Sequence, residues 1–214
     1  PRMSETDIAE ARKSMSEAEF RQEYEADFNT YEGQVWKFNF ETQVRDFSQF
    51  EPRKMDIFAG LDVGYKDPTA MCVIAYDWDK EEFYLLDEYF DAERTTDQHA
   101  AEIQKLIDRW DIDYIYIDSA AQQTRFDFAQ NYGISTINAK KSILDGIGYV
   151  SGIIDNDKLF VEQTADESLK CLDAYQWDPN PNLMKEKPKH NMASHMADAL
   201  RYALYSFQIS NISF

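Results

Sequence analysis

Three aspartates and a histidine hold positions from which side chains can meet and do chemistry. Asp62 follows Gly60-Leu61 at the end of the apolar run Ile57–Val63. Asp118 closes the run Tyr114-Ile-Tyr-Ile117. Asp198 lies in His195-Met-Ala-Asp-Ala-Leu-Arg-Tyr202, with His195 three residues earlier, one helical turn away. A lone aspartate at a strand end usually serves a turn or a cap. Three of them on separate elements suggest something else. Clustered carboxylates repel, and a divalent cation relieves that repulsion. Hard cations such as Mg²⁺ take oxygen ligands and keep several waters. Two such ions about 4 Å apart clamp the attacking and leaving oxygens of a phosphodiester. Asp62, Asp118 and Asp198 are therefore candidate metal ligands and His195 a catalytic companion. Asp67, in Lys66-Asp67-Pro68, reads first as a turn residue and second as an accessory metal contact.

The elements that must bring these residues together can be read from the spacing. Residues 57–63, 69–76 and 82–89 form three apolar or alternating runs with short breaks, which predicts an antiparallel meander. Residues 95–110 predict an amphipathic helix with Ala100, Ile103, Leu106, Ile107 and Trp110 on one side. A buried-type strand over 113–118, a helix over 122–132 stopped by Gly133, and a strand over 134–138 follow. Then come a helix over 142–154, a short strand at 159–161 and a helix over 166–176. A polar loop over 177–190 precedes a last helix over 193–207. The order β-β-β-α-β-α-β-α predicts an α/β fold, a mixed five-stranded sheet flanked by helices. Right-handed crossovers place its first and fourth strands side by side, with Asp62 and Asp118 at the same end.

Residues 1–53 read as an N-terminal helical arm or linker, and 54–214 as the main domain. Ser16 and Glu19 have capping-box spacing, and Gly33 breaks the helical pattern. Composition excludes several classes. At 43% hydrophobic and 14% aromatic residues, the chain is too apolar for disorder. No apolar run reaches the roughly 18–20 residues of a membrane helix, and no secretory signal opens the sequence. Cys72 and Cys171 form no CxxC pair, which supports neither a zinc site nor a disulfide framework. The net charge of −18 opposes a general electrostatic grip on nucleic acid. Local positive groups remain: Lys140 and Lys141 after the fifth strand, Arg125 after the fourth, and Lys185, Lys187 and Lys189, with His190 beside them, before the last helix. These are the candidate DNA contacts. They would position a backbone without reading sequence.

Four segments resemble a known family, the nuclease domain of the large terminase subunit of tailed bacteriophages, with its ribonuclease-H-like fold. They are Gly60-Leu-Asp-Val-Gly-Tyr-Lys-Asp-Pro-Thr-Ala70, Tyr116-Ile-Asp-Ser-Ala120, Ala139-Lys-Lys-Ser-Ile143 with Gly146-Ile147, and His195-Met-Ala-Asp-Ala-Leu-Arg-Tyr-Ala203. Ser16-Glu-Ala-Glu-Phe-Arg-Gln-Glu-Tyr24 looks like the segment that follows the motor domain in such subunits. The resemblance implies an Mg²⁺- or Mn²⁺-dependent endonuclease that cuts concatemeric double-stranded viral DNA during packaging, acting in the host cytoplasm. It implies that Asp62, Asp118 and Asp198 are metal ligands with His195 close by. We expect Asp62 to bridge two ions, with Asp118 and Asp198 each holding one. It also implies partners: a motor domain of the same subunit, the small terminase subunit and the portal, with DNA held weakly by this chain alone. No GxxxxGK[ST] phosphate loop is present, so the motor lies outside this sequence. The chain is then either a domain of a longer protein or a separately encoded nuclease. Two departures bear on DNA contact: Ala121-Gln122 replace the acidic residue relatives often have there, and Ser142 directly follows the lysines where relatives often have glycines.

Other readings stay open at this point. Asp62-Val-Gly64 with Thr69 mimics the first phosphate motif of actin- and sugar-kinase-type ATP-binding proteins, but their second phosphate loop is missing. A junction resolvase or transposase would use similar carboxylates. A non-catalytic packaging adaptor would need none of them.

Overall fold

Strands buried on both faces lose the polar alternation of a half-exposed sheet. The runs Asp56–Asp62 (β2) and Thr69–Asp77 (β3) show this, with nearly every residue buried. In the computed structural model, which describes residues 33–179 and 187–212, they form the centre of a seven-stranded mixed sheet. Glu82–Asp91 (β4) completes the antiparallel meander. Helix α2 (Thr96–Trp110) then crosses to Tyr114–Ile117 (β5), parallel to β2. Helix α3 (Gln122–Tyr132) ends at Gly133 in a left-handed conformation and leads to Ile137–Asn138 (β6), parallel to β5. Helix α4 (Ile143–Asp155) returns the chain to the other edge, where Leu159–Glu162 (β7) pairs parallel with β4. Helices α5 (Asp166–Ala174) and α6 (Met192–Ile212) finish the domain. Ahead of the meander, Phe40–Gln43 (α1) leads into Val44–Arg45 (β1), which pairs with β7. The strand order is β1-β7-β4-β3-β2-β5-β6.

Each face of the sheet has its own core. On one, Phe58, Cys72, Ile74 and Leu85 meet Leu200, Ala203, Leu204 and Phe207 of α6. The rings of Phe58 and Phe207 stack with centroids 4.1 Å apart. On the other, Leu61, Met71 and Val73 meet Ala100 and Ile103 of α2 and Phe128 of α3. Helix α6 lies directly on β2. A Cβ at Gly60 would stand 1.9 Å from the carbonyl oxygen of Ala199 and 2.7 Å from the amide nitrogen of Ala203. Only glycine permits that approach.

The sheet has seven strands where the sequence predicts five. The run at 159–161 is a strand as expected, but it also extends the sheet at the edge of β4. The two-residue β1 then adds to it, and a segment so short carries no periodicity to read. Residues 33–53, expected within the arm, pack with the domain. Val35, Trp36, Phe38 and Phe47 are buried, and Gln43 is fully enclosed. The Gln43 amide donates to the carbonyls of Ile154 (3.2 Å) and Leu159 (3.1 Å). This fastens α1 to the end of α4 and the start of β7. The helical arm itself lies outside the described residues. The acidic run 77–91, which by its charge alone would read as a solvated hairpin face, is put to use. Asp77 accepts from the Asp79 and Lys80 amides, Asp87 from Arg109 and Trp110, and Glu88 from Glu167 and Ser168 at the start of α5.

Replacing Gly60 by Ala should force α6 off β2. Overpacking against rigid backbone lies at the upper end of the usual range, so we expect a loss of about 3 kcal/mol or more. Urea unfolding of G60A against the parent checks this.

Candidate metal centre

Strand register brings the first two aspartates together. Leu61 pairs with Ile117 across the parallel β2–β5 contact, so Asp62 and Asp118 are the next residues at the same end of neighbouring strands. The Gly60–Ala199 contact adds the third, because Asp198 and His195 sit on the part of α6 that crosses that end. His195 Nδ1 is 2.9 Å from Asp62 Oδ2. This hydrogen bond outweighs the opposing effect of burial, and with the neighbouring aspartates it raises the His195 pKa.

Each aspartate is met by a basic side chain of the protein. Asp62 has His195. Asp198 Oδ1 accepts from Arg201 Nη2 at 2.7 Å, and Arg201 is only 2% exposed. Burial pushes the Asp198 carboxyl above the ordinary range; Arg201 opposes this and the charge of Asp62 adds to it. Asp118 Oδ1 accepts from Lys141 Nζ and from the Ala120 amide, both at 2.8 Å. Burial raises that carboxyl, but the two donors together hold it below its usual value. The three carboxylates do not converge to within 4.8 Å of one another. The donor set, all carboxylate oxygen, suits a hard divalent cation. Two protein cations, Lys141 and Arg201, and the His195 imidazole already occupy the positions where positive charge is favoured. A metal ion shared by the three would require the carboxylates to draw closer and Lys141 to leave Asp118.

The β2–β3 turn carries Asp67, whose carboxylate stands 4.0 Å from His195 Nε2 and 4.0 Å from His190 Nε2. A small buried network holds the turn. Thr69 Oγ1 accepts from the Gly64 amide (3.2 Å) and donates to the Gly64 carbonyl (3.0 Å). His99 stands behind it, 3.3 Å from Thr69 Oγ1 and 2.8 Å from the Tyr89 hydroxyl. Arg201, Thr69 and His99 all support the site, and the sequence reading singled out none of them in that role. An arginine at the i+3 position from Asp198 was the available signal.

The candidate DNA contacts divide into committed and available groups. Arg125 is committed: it bonds to Thr136 Oγ1 and O and to Asn138 Oδ1, and so ties α3 to β6. Lys141 is held by Asp118. Lys140 anchors its main chain through the Ser206 hydroxyl, which leaves its ammonium out of that bond. Lys187 and Lys189 line an open groove of about 480 Å³ that also includes Tyr175, Ser194 and Asp198. The Lys189 ammonium meets a neutral amide there, Gln176 Oε1 at 3.3 Å. Lys185 lies outside the described residues.

The sequence profile of the terminase RNase H-like domain matches residues 59–207. The large terminase subunit of Escherichia phage T5 is 42% identical over 96% of this chain and 49% of its own length. The chain belongs to the terminase RNase H-like family. It spans about half the length of that curated relative. Among solved structures, it is similar to the P22 large terminase nuclease domain, with a TM-score of 0.69, 19% identity and coverage of 83% of this chain and 93% of that one. The nuclease domain of the bacteriophage SPP1 large terminase, solved with bound Mn, gives a TM-score of 0.62, 21% identity and coverage of 81% and 99%.

Removing one member of a buried ion pair leaves the other charge uncompensated, which typically costs about 3–5 kcal/mol. D198A should therefore destabilise the protein by that order in chelator, and the D198A/R201M double variant should recover most of the loss. Urea unfolding of the two variants and the parent at neutral pH measures both.

Proposed function

We propose that this domain is a divalent-metal-dependent endonuclease that cuts double-stranded DNA during viral genome packaging. The observation that carries the reading is the meeting of Asp62 and Asp118 at one end of the sheet with Asp198 and His195 on α6, in a terminase RNase H-like domain. The bound Mn of the SPP1 relative supports Mg²⁺ or Mn²⁺ as the ion. Asp62, Asp118 and Asp198 would hold one or two ions, with Asp67 as an accessory contact. A divalent ion there supplies charge stabilisation to the phosphodiester and acidifies a bound water.

The remaining chemistry falls to the chain's own groups. His195, oriented through Nδ1 by Asp62, directs Nε2 towards Asp67, 4.0 Å away, and can carry a proton there when no metal ion holds that nitrogen. Lys140, Lys187 and Lys189 remain to meet phosphates. Lys141 joins them once it leaves Asp118. The phage T5 relative is a large terminase subunit, and this supports a motor domain, a small terminase subunit and a portal as partners, with the host cytoplasm as the place of action.

Incubation with supercoiled plasmid and Mn²⁺, Mg²⁺ or chelator tests the reading. We expect nicking and linearisation with metal and none with chelator. D62N should lose about 10³-fold or more in rate, the several kcal/mol that metal catalysis provides. H195A should lose about 10²-fold, the low end for a proton carrier. Metal-dependent cleavage by D62N at the parent's rate would end the assignment.

Lys141 has a second, separable signature. Because its ammonium occupies Asp118, K141A should bind Mn²⁺ more tightly than the parent, as read by thermal shift across an ion titration. The K140A/K141A pair should also lower the salt dependence of duplex binding, by up to about 2 units of slope. Salt titrations that run parallel for pair and parent would show that neither lysine touches the backbone.

A further inference from the structure

A second group of metal-ligating side chains stands beside the aspartates and differs from them in chemistry. Asp67, His190 and His195 each offer one ligand atom, and the three atoms lie within 4.8 Å of one another. Both imidazoles are oriented for coordination. His195 Nδ1 is engaged by Asp62 Oδ2 at 2.9 Å, and His190 Nδ1 by the Ser194 hydroxyl at 3.2 Å. Each ring therefore leaves Nε2 as its free nitrogen. The two Nε2 atoms stand 4.0 Å from opposite oxygens of the Asp67 carboxylate. A histidine that holds a metal through one nitrogen commonly hydrogen-bonds a carboxylate through the other, which fixes its tautomer and makes it a better ligand. Asp62–His195 has that form.

We propose that Asp67, His190 and His195 bind a borderline transition-metal ion such as Zn²⁺ or Co²⁺, at a position separate from the three aspartates. Two imidazoles and one carboxylate suit such ions and discriminate against Mg²⁺, which prefers oxygen. Ligand atoms about 2.1 Å from a tetrahedral ion lie roughly 3.4 Å apart, so the group must contract by up to about 1.4 Å. Asp67 and His190 are exposed, with side chains 63% and 76% accessible, and can make that move, while His195 is the buried anchor at 9%. Water would complete the coordination. The bound ion ties the β2–β3 turn to the start of α6.

The full, tag-free chain stripped with chelator is titrated with Co²⁺, followed by visible absorption, and with Zn²⁺, followed by calorimetry. The parent should take up one Co²⁺ with bands of a mixed nitrogen and oxygen site. Zn²⁺ should displace it, and a large excess of Mg²⁺ should not. H190A should weaken this binding by about 100-fold or more, because loss of a ligand exceeds the 10–100-fold cost of losing a ligand's supporting partner. S194A should fall within that smaller range. D118N should keep the site. A Zn²⁺ isotherm for H190A that superimposes on the parent's, with both variants folded by circular dichroism, overturns the proposal. So does loss of the Co²⁺ bands in D118N, which would place the ion among the aspartates. The readout is binding, so the proposal stands or falls apart from the nuclease reading, which plasmid cleavage decides.

Discussion

Like charges gathered at one end of a sheet repel, and the repulsion grows as water is excluded. The carboxylate edge of this domain answers that constraint with basic side chains from its own chain. His195 and Arg201 come from α6, and Lys141 from the turn between β6 and α4. Each engages a different aspartate. The pairing therefore fastens two parts of the chain, α6 through His195 and the β6–α4 turn through Lys141, to the ends of β2 and β5, and it does so in a place that attracts positive charge from any source. The metal-free fold and the proposed metal-bound state draw on the same attraction. Lys141 is the exposed member and exchanges most easily. Arg201 is buried, so its loss of Asp198 would leave a charge with little access to water.

The aspartates reach this edge through backbone geometry rather than through long side chains. Parallel pairing of Leu61 with Ile117 fixes two of them, and the contact of α6 with Gly60 fixes the third together with His195. The turn that carries Asp67 is held from beneath by Thr69, His99 and Tyr89. Rigid strands thus set the proposed ligands, while the exposed turn beside them keeps room to adjust. Preorganised sites on regular elements, with mobile parts confined to loops, fit the proposed centre, which would have to hold ions and still admit a polymer.

The centre of the sheet was legible because fully buried strands announce themselves as unbroken apolar runs, and because Asp62 and Asp118 interrupt those runs with a charge. The edge was not legible. β1 has two residues, and its segment reads as mixed because Gln43, a polar residue, occupies a fully buried place by donating to two carbonyls. Arg201 was hidden for the opposite reason. A charged residue on an amphipathic helix normally faces water, but here its stem lies against α4 where Gly146 leaves space for it, 2.6 Å from where a Cβ would stand. His190 stood out only as a positive group among lysines. Its relation to Asp67 and His195 depends on a loop returning to the β2–β3 turn, and no local spacing encodes that.

The charge balance limits how such a domain can meet a polyanion. Forty acidic residues against 22 basic ones leave a net −18, and several of the basic groups near the site are already spent on structure. Arg125 serves β6, Arg201 is buried against Asp198, and Lys141 sits on Asp118. Among the described candidates, Lys140, Lys187 and Lys189 remain for a phosphate, and the last need only give up a neutral amide. A cation bound by the aspartates changes this in two ways. It cancels part of the local negative charge, and it releases Lys141 towards the solvent. Metal and DNA would then each favour the binding of the other, and by linkage the two effects are equal. An acidic domain built this way would hold DNA weakly until it is loaded, and would then hold the backbone at the metal ions and at the few lysines left free.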